Sequence, residues 1–199
     1  MKMITLSTLW FTLAIAHLIS VGSATPALRN VKSSLLPRSQ FCANAPATIA
    51  GTTLDRRDSS RSNLPVLPSL ADLLGDNAYP PIIWCARGTK TYILLTLVRP
   101  LNSGIVLSLL DDARSTILGH IAIWGDGVVE DGFFNWAGAG GLKLRMVNSN
   151  NHQLTWGVVG AAIEALGEYM HQAVTGPGEG WFSILDGTNE VGTGTILSK

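Results

Sequence analysis

The sequence predicts an α+β fold in which a small antiparallel or mixed sheet carries two helices on one face, as in split βαβ units, preceded by an irregular N-terminal arm. Three observations support this prediction. Two segments repeat apolar residues at helical spacing, several shorter segments are typical of strands, and a hairpin turn joins the last two of these. Because each helix has a single apolar stripe, one face of a sheet can bury both.

The first 24 residues have the pattern of a secretory signal peptide. A positive start at Lys2 is followed by the apolar stretch 4–16, and small residues ending at Ala24 suit a signal peptidase. The apolar stretch is too short to span a bilayer, which takes about 20 residues. We therefore expect a secreted, extracellular protein without membrane contact once the signal is removed.

Residues 25–81 have the composition of an irregular arm or pro-region, since they hold seven of the nine prolines together with many serines. Arg56 and Arg57 form a dibasic pair of the kind that proteases of the secretory pathway cut, and exposed chain is where proteolysis concentrates. The alternative is that the two arginines are ordinary surface charges. The α+β domain is expected over residues 82–199.

The chain contains two cysteines, Cys42 and Cys85. Secretion exposes them to an oxidising compartment, where an even number of cysteines favours pairing, so we predict one disulfide between them. Two free buried thiols are the alternative, and metal binding by two cysteines without CxxC spacing is weaker still. The bridge would keep an N-terminal piece attached after a cut at Arg57.

Thr91–Val98 is a run of β-branched, aromatic and aliphatic residues that ends before Pro100, which predicts a buried strand. A helix follows, with Asn102 or Ser103 as its N-cap, and the turn Gly125–Gly127 ends it. The apolar face of this helix recurs at helical spacing and consists of Val106, Leu109, Leu110, Ala113, Ile117 and Ile121.

The pattern of residues 128–137 is ambiguous, because Phe133, Phe134 and Trp136 fit either a strand or a packed loop. Residues 142–146 have the clearest strand pattern in the chain. Their basic side chains are expected to reach water while the apolar ones enter a core. The alternation sets Leu142, Leu144 and Met146 against Lys143 and Arg145.

A second helix is expected over residues 154–174, with Asn150 and Gln153 as an approximate capping box at its start and Gly176–Gly178 at its end. Two strands, 180–185 and 190–197, follow and are joined by a hairpin turn at 186–189. The apolar stripe of the second helix consists of Val159, Ile163, Leu166, Met170 and Val174.

The titratable residues form no complete catalytic or metal-binding motif. His120, His152 and His171 make no HExxH pattern, and single histidines at helix ends are usually capping or surface groups. The acidic loop 125–132 lacks the ligand spacing of a calcium-binding loop. The carboxylates that could supply the pair needed for glycoside hydrolysis are Glu130, Asp131, Asp186 and Glu190, although acids beside glycine more often form turns.

No GxSxG nucleophile elbow or phosphate-binding loop is present in the sequence, so we predict no catalytic residue, no cofactor and no bound metal. A non-enzymatic protein is therefore favoured over an enzyme. Most tryptophans outside the signal are expected in the core, although they could line a sugar or lipid surface. They are Trp84, Trp124, Trp136, Trp156 and Trp181.

The charge balance argues against nucleic acid as a partner. Lys2 belongs to the signal, which leaves 13 basic and 14 acidic residues and a formal net charge of −1. Residues 25–99 hold nine basic and four acidic residues, whereas residues 100–199 hold four basic and ten acidic ones. No overall positive field for binding nucleic acid results.

Three segments resemble a group of small secreted proteins of filamentous fungi that has no assigned activity. They are Asn150–Val158, Phe182–Gly192 and the turn Gly125–Gly127, and the resemblance covers residues 84–197. It implies secretion but no catalytic residues. The dibasic site and the expected fold are also loosely similar to virally encoded killer toxins of smut fungi and to effectors of that shape, which are richer in disulfides.

The function that these observations favour is that of a secreted non-enzymatic protein, either effector-like or a cell-surface interaction module with an extracellular protein or cell-wall partner. A secreted hydrolase of cell-wall carbohydrate is the first alternative, and a killer-type toxin is the second. Convergence of Asp126, Glu130, Asp186 and Glu190 in a cleft beside tryptophans would favour the hydrolase, whereas their dispersal over turns would count against it.

Overall fold

The structure is a computed structural model, and it describes residues 40–55, 81–173 and 176–198. It is an α+β fold with two helices, as the sequence predicts, and its strands form two antiparallel sheets where the sequence predicts one. The smaller sheet pairs β1 (Phe41–Cys42) with β2 (Ala45–Ile49). No helix in the described part of the chain is both long and apolar enough to span a bilayer.

The larger sheet has six strands, and the two helices lie between strands in the sequence. The order along the chain is β3 (Ile82–Cys85), β4 (Thr91–Pro100), α1 (Ser103–Trp124), β5 (Phe133–Ala137), β6 (Lys143–Asn148), α2 (Trp156–Gln172), β7 (Gly178–Asp186) and β8 (Asn189–Leu197).

The strands β4 to β8 lie in segments whose sequence predicts a strand or allows one. The ambiguous segment 128–137 proves to be a strand from Phe133 onward, preceded by a short 3-10 turn at Glu130–Gly132. The strand β3 is missed by the sequence prediction, because it has only four residues and directly follows the proline-rich stretch.

The strands of the larger sheet lie in the order β3-β4-β7-β8-β6-β5, and every neighbouring pair is antiparallel. It follows that β4 and β5, which α1 connects, run in the same direction. The strands β6 and β7, which α2 connects, also run in the same direction, with β8 between them. The last strand of the chain is therefore inserted near the middle of the sheet.

The helix α1 begins and ends where its sequence predicts. The side chain of Asn102 caps it by accepting a hydrogen bond from the backbone N–H of Gly104 at 3.0 Å. Gly125 follows the last helical residue with φ = 83°, a conformation that glycine adopts without a steric penalty. The predicted stripe is buried at Val106, Leu109, Leu110, Ala113 and Ile117, and Ile121 is half-buried.

The predicted start of α2 is wrong. Asn150 has φ = 53° and lies before the helix, so it forms no capping box with Gln153. The N-cap is Thr155, whose hydroxyl accepts from the N–H of Val158 at 3.3 Å. The carboxylate of Asp126 accepts from the N–H of Gly157 at 2.7 Å. A capping partner from a distant loop therefore sets the start of this helix.

The main core lies between the helices and one side of the larger sheet. On α2 the predicted residues Val159, Ile163, Leu166 and Met170 are buried there, whereas Val174 lies outside the described residues. The sheet contributes side chains from all six strands, and these include Trp84, Ile93, Phe134, Leu144, Phe182 and Ile196. Both helices thus cover the same side of the sheet with the single apolar stripes that the sequence predicts.

Residues 40–55 belong to the folded domain, which corrects the prediction that residues 25–81 form an irregular arm throughout. Cys42 is bonded to Cys85 at the end of β3, as predicted. The N–H of Ala43 donates to the carbonyl of Ile83 at 2.8 Å, and the N–H of Gly88 donates to the carbonyl of Leu54 at 2.6 Å. The side chain of Leu54 is buried in a second, smaller core with both cysteines and Tyr92.

Several sequence predictions lie outside the described residues. They are the signal peptide with its cleavage site at Ala24, and the dibasic pair Arg56 and Arg57. The remaining parts of the predicted arm, 25–39 and 56–80, also lie outside them. These predictions stay predictions.

A carboxylate at the start of β7 holds the end of the chain. The guanidinium of Arg99 donates to the two carboxylate oxygens of Glu179 at 2.6 and 2.9 Å, and the backbone N–H of Ser198 donates to Oε1 at 2.6 Å. The hydroxyl of Ser198 donates to the same carboxylate. The hydrogen bond from Arg99 and those from Ser198 lower the pKa of Glu179 from 4.5 to about 2.

The lowered pKa of Glu179 predicts a pH-dependent contribution to stability. A carboxylate with a lowered folded-state pKa stabilises the fold above its unfolded pKa of about 4.3, and this contribution is lost as the pH falls through about 2. We expect Glu179→Gln to lower the melting temperature by about 3 °C at pH 7 and by much less near pH 2. Thermal unfolding followed by circular dichroism at both pH values measures the difference.

The control for this prediction is Glu164→Gln on the helix side of the domain. It removes only a 3.4 Å ion pair with Arg114 between two largely accessible side chains, so it is expected to change the melting temperature little at either pH. A deficit of the Glu179→Gln protein that is equally large at pH 7 and pH 2 would contradict the assignment.

Candidate functional site

One side of the larger sheet faces the helices, and the described residues leave much of the other side accessible at β5, β6, β7 and β8. The strand register places two neighbouring rows of side chains there. The first row is Trp181, Thr195, Arg145 and Asn135, and the second is Ser183, Thr193, Val147 and Phe133. We call these eight residues, together with Lys143 next to Arg145 on β6, the open face.

The two aromatic rings are the most unusual feature of the open face. Trp181 is 55% exposed although it lies in an interior strand, and Phe133 is 45% exposed on the edge strand. With strands about 4.8 Å apart, the Cα atoms of these residues are roughly 16 Å apart. Between the rings lie hydroxyl, amide and guanidinium groups from Thr193, Thr195, Asn135 and Arg145. The face thus combines exposed aromatic rings with hydrogen-bonding groups.

Among the residues that the structure describes, no carboxylate neutralises the positive charge of the open face. Lys143 and Arg145 are both exposed, and neither makes an ion pair with another described residue. The carboxylate of Glu179, at the start of β7 two strands away, is already held by Arg99. The ammonium and guanidinium groups of the open face are therefore available to a bound molecule.

Three of the carboxylates considered for hydrolysis make hydrogen bonds within the fold. Asp126 caps α2, and Gly157, having no Cβ, leaves room for its carboxylate. Asp186 accepts from the hydroxyl of Thr91 at 3.3 Å, and Glu190 accepts from the hydroxyl of Ser149 at 2.9 Å. These contacts join the three carboxylates to distant segments of the fold, so they give the hydrolase hypothesis no support.

Two more of the predicted carboxylates, Glu130 and Asp131, lie in the 3-10 turn before β5, where Asp131 has φ = 56°. The three predicted histidines lie in different places. His120 stacks on Trp156 with ring centroids 4.0 Å apart, His152 lies in the loop after β6, and His171 is in the last turn of α2. Within residues 40–55, 81–173 and 176–198, no group of three or more His, Cys, Asp or Glu side chains could hold a metal ion.

A groove of about 230 Å³ lies on the helix side of the domain and is rich in charge. The guanidinium of Arg87 donates twice to Oε1 of Glu168, at 2.6 and 3.0 Å. The other oxygen of Glu168 accepts from the indole N–H of Trp84 and from the amide of Asn44, each at 3.4 Å. Glu168 therefore joins α2 to β3 and to the N-terminal hairpin, and we assign this groove a structural role.

The five tryptophans that follow the predicted signal peptide divide into core and surface residues. Trp84 is buried, and Trp136 and Trp156 are half-buried against the main core, which agrees with the expectation that most are core residues. Trp181 lies on the open face, and Trp124 is 76% exposed at the end of α1. The sequence analysis did not separate these two groups, and the fold does.

The structure brings Lys143 and Arg145 of β6 to the same face of the sheet as Trp181 of β7, although these residues lie in separate segments of the sequence. The alternation along β6 correctly predicted that Lys143 and Arg145 face water. Their position beside Trp181 was missed, because it depends on the insertion of β8 between β6 and β7. Comparison of the chain with protein-family models, with curated proteins and with solved structures finds no match.

Proposed function

We propose that this protein is a secreted, non-enzymatic binding module that attaches to cell-wall carbohydrate through its open face. The observation that carries the proposal is the accessible indole ring of Trp181 on an interior strand, in the same row as the hydroxyl of Thr195 and the guanidinium of Arg145. The proposal has three further parts. They are the extracellular location, the resemblance to small secreted fungal proteins and the assignment of the topology to the split βαβ type.

The chemistry of the open face suits a sugar ring. A pyranose has an apolar face of C–H groups and a rim of hydroxyls, so it needs a flat apolar support and nearby hydrogen-bonding groups. The indole of Trp181 offers the support. Thr195, next to Trp181 in the same row, can donate and accept hydrogen bonds at the rim, and Thr193 lies two residues away on the same strand. Arg145 and Asn135, two and three strands from Trp181, can bond the neighbouring sugars of an extended chain. A few convergent polar groups around an apolar contact are typical of ligand sites.

The backbone beneath the open face favours binding without a large ordering cost. Trp181 is paired on both sides, with Thr96 of β4 and Thr195 of β8, and Arg145 is likewise paired with Thr195 and Asn135. Side chains held by a regular sheet lose less freedom on binding than side chains of a loop. An extended carbohydrate chain could lie across several strands without a change in the fold.

The test uses protein recovered from the culture medium of cells that express the full chain, so that recovery itself tests secretion. Wild-type protein, Trp181→Ala and Trp124→Ala are each mixed with insoluble chitin, β-1,3-glucan and pectin-rich plant cell wall, and the bound fraction is measured after sedimentation. We expect Trp181→Ala to weaken binding at least about tenfold, because removal of a central aromatic contact typically has this effect.

Trp124→Ala is the matched control, because it removes an even more exposed indole from the far end of α1. It should bind as the wild type does. The proposal would be overturned if none of the three polysaccharides retained the wild-type protein, or if both variants lost binding equally. Absence of the protein from the medium would overturn its extracellular part.

A further inference from the structure

We infer that the carbohydrate bound by the open face is acidic and carries uronate carboxylates. This inference rests on the proposed function and extends it from sugar in general to one class of sugar. The two cations of the open face, Lys143 and Arg145, carry the inference. Neutral sugars offer no partner for two adjacent charges that no described carboxylate neutralises.

The positions of the cations match a polymer that also contacts Trp181. Arg145 lies in the same row as Trp181 and two strands away, which places their Cα atoms about 10 Å apart. Lys143 precedes Arg145 by two residues on β6, so its side chain leaves the same side of the sheet roughly 7 Å further along. A sugar stacked on the indole would therefore have neighbouring sugars within reach of both cations.

Arg145 provides a specific carboxylate contact rather than general attraction. A guanidinium binds a carboxylate with two parallel hydrogen bonds, and these bonds are shorter and stronger than those between neutral groups. Its backbone position is fixed between β8 and β5, which limits the freedom that carboxylate binding would remove. Lys143 adds a second positive charge with fewer geometric demands.

The charge distribution separates an acidic polysaccharide from a nucleic acid. Residues 100–199 contain ten acidic and only four basic residues, and Lys143 and Arg145 are two of those four. Salt screens the charges of these two cations beyond about 8 Å under physiological conditions, so they attract only the one or two carboxylates that lie close to them. A nucleic acid requires a continuous basic groove with successive stacking rings, so the open face suits it less well.

The experiment measures binding of polygalacturonate and of its fully methyl-esterified form by affinity electrophoresis. The ester keeps the sugar rings and removes their charge. We expect the wild type to bind polygalacturonate about tenfold more tightly than the ester. Arg145→Gln should remove most of that preference, because it should weaken binding of polygalacturonate by far more than binding of the ester. Arg114→Gln, which removes a surface cation from α1, should behave as the wild type.

The outcomes distinguish this inference from the proposed function. Equal affinity for polygalacturonate and the ester, with both weakened by Trp181→Ala, would overturn the acidic class and retain a neutral carbohydrate. No binding of either polymer, together with no retention on the insoluble polysaccharides, would overturn both. Tighter binding of a single-stranded thymidine oligonucleotide than of polygalacturonate would overturn the inference in favour of nucleic acid.

Discussion

Replacement of both Cys42 and Cys85 by serine is expected to lower the free energy of unfolding by about 4 kcal/mol. The bridge closes a sequence separation of 43 residues, and removing it increases the conformational entropy of the unfolded chain. Non-covalent contacts of residues 40–55 with β3 remain in the variant. Urea unfolding followed by tryptophan fluorescence measures the change.

The wild-type protein in a reducing buffer is the natural control, because it lacks the bridge but keeps both side chains. It should lose about as much stability as the double serine variant. A loss below about 1 kcal/mol in both would contradict a bridge that restrains the unfolded state. A loss only in the serine variant would point to packing of the two buried sulfurs instead.

Trp84→Ala is expected to lower the free energy of unfolding by about 3–5 kcal/mol, since it leaves a large cavity in the main core. The indole is 1% exposed, and its ring packs edge-on against Tyr169 with centroids 5.3 Å apart. Its N–H also donates to Glu168, so the variant loses a hydrogen bond to a carboxylate. Chemical unfolding in urea at pH 7 measures the loss.

Trp181→Ala is the matched control for Trp84→Ala, because it deletes the same side chain from the surface. Its free energy of unfolding should lie within about 0.5 kcal/mol of the wild type. This result would also show that any loss of binding by the Trp181 variant does not reflect unfolding. Similar losses in the two variants would contradict the assignment of one tryptophan to the core and the other to the open face.

Local patterns in the sequence predicted the elements whose stabilising contacts are themselves local or periodic. The stripe of α1, its cap at Asn102 and its end at Gly125 could all be read directly, as could the hairpin between β7 and β8. The start of α2 could not, because its first N–H groups are satisfied partly by Asp126, 31 residues away along the chain. Long-range capping leaves no short sequence pattern.

The same reasoning explains why residues 40–55 were predicted to be irregular. Their strands are short, and their burial depends on the bridge to Cys85 and on backbone hydrogen bonds to β3 and to the turn before β4. Leu54 is the only large apolar side chain of this stretch that is fully buried. A single buried side chain produces no periodicity. The structure of this stretch could therefore be predicted only from the composition of residues 25–81.

The individual residues of the open face could be predicted from the sequence, but their arrangement could not. Alternation along β6 predicted that Lys143 and Arg145 point outward, and composition suggested that tryptophans could contact sugar. The sequence could not combine the two observations, since the neighbours of β6 and β7 depend on where β8 enters the sheet. Strand order is a property of the whole chain, and it is what converts separate residues into a continuous surface.

The binding role of the open face is tested most directly by locating the bound sugar on the folded protein. Titration with a short oligogalacturonide, followed by the indole and backbone N–H signals in nuclear magnetic resonance spectra, reports which residues respond. We expect the indole signal of Trp181 and the backbone signals of Arg145, Thr193 and Thr195 to shift together, while the indole signal of Trp124 stays in place. Shifts confined to the helix side, or none at saturating sugar, would contradict a binding role for the open face.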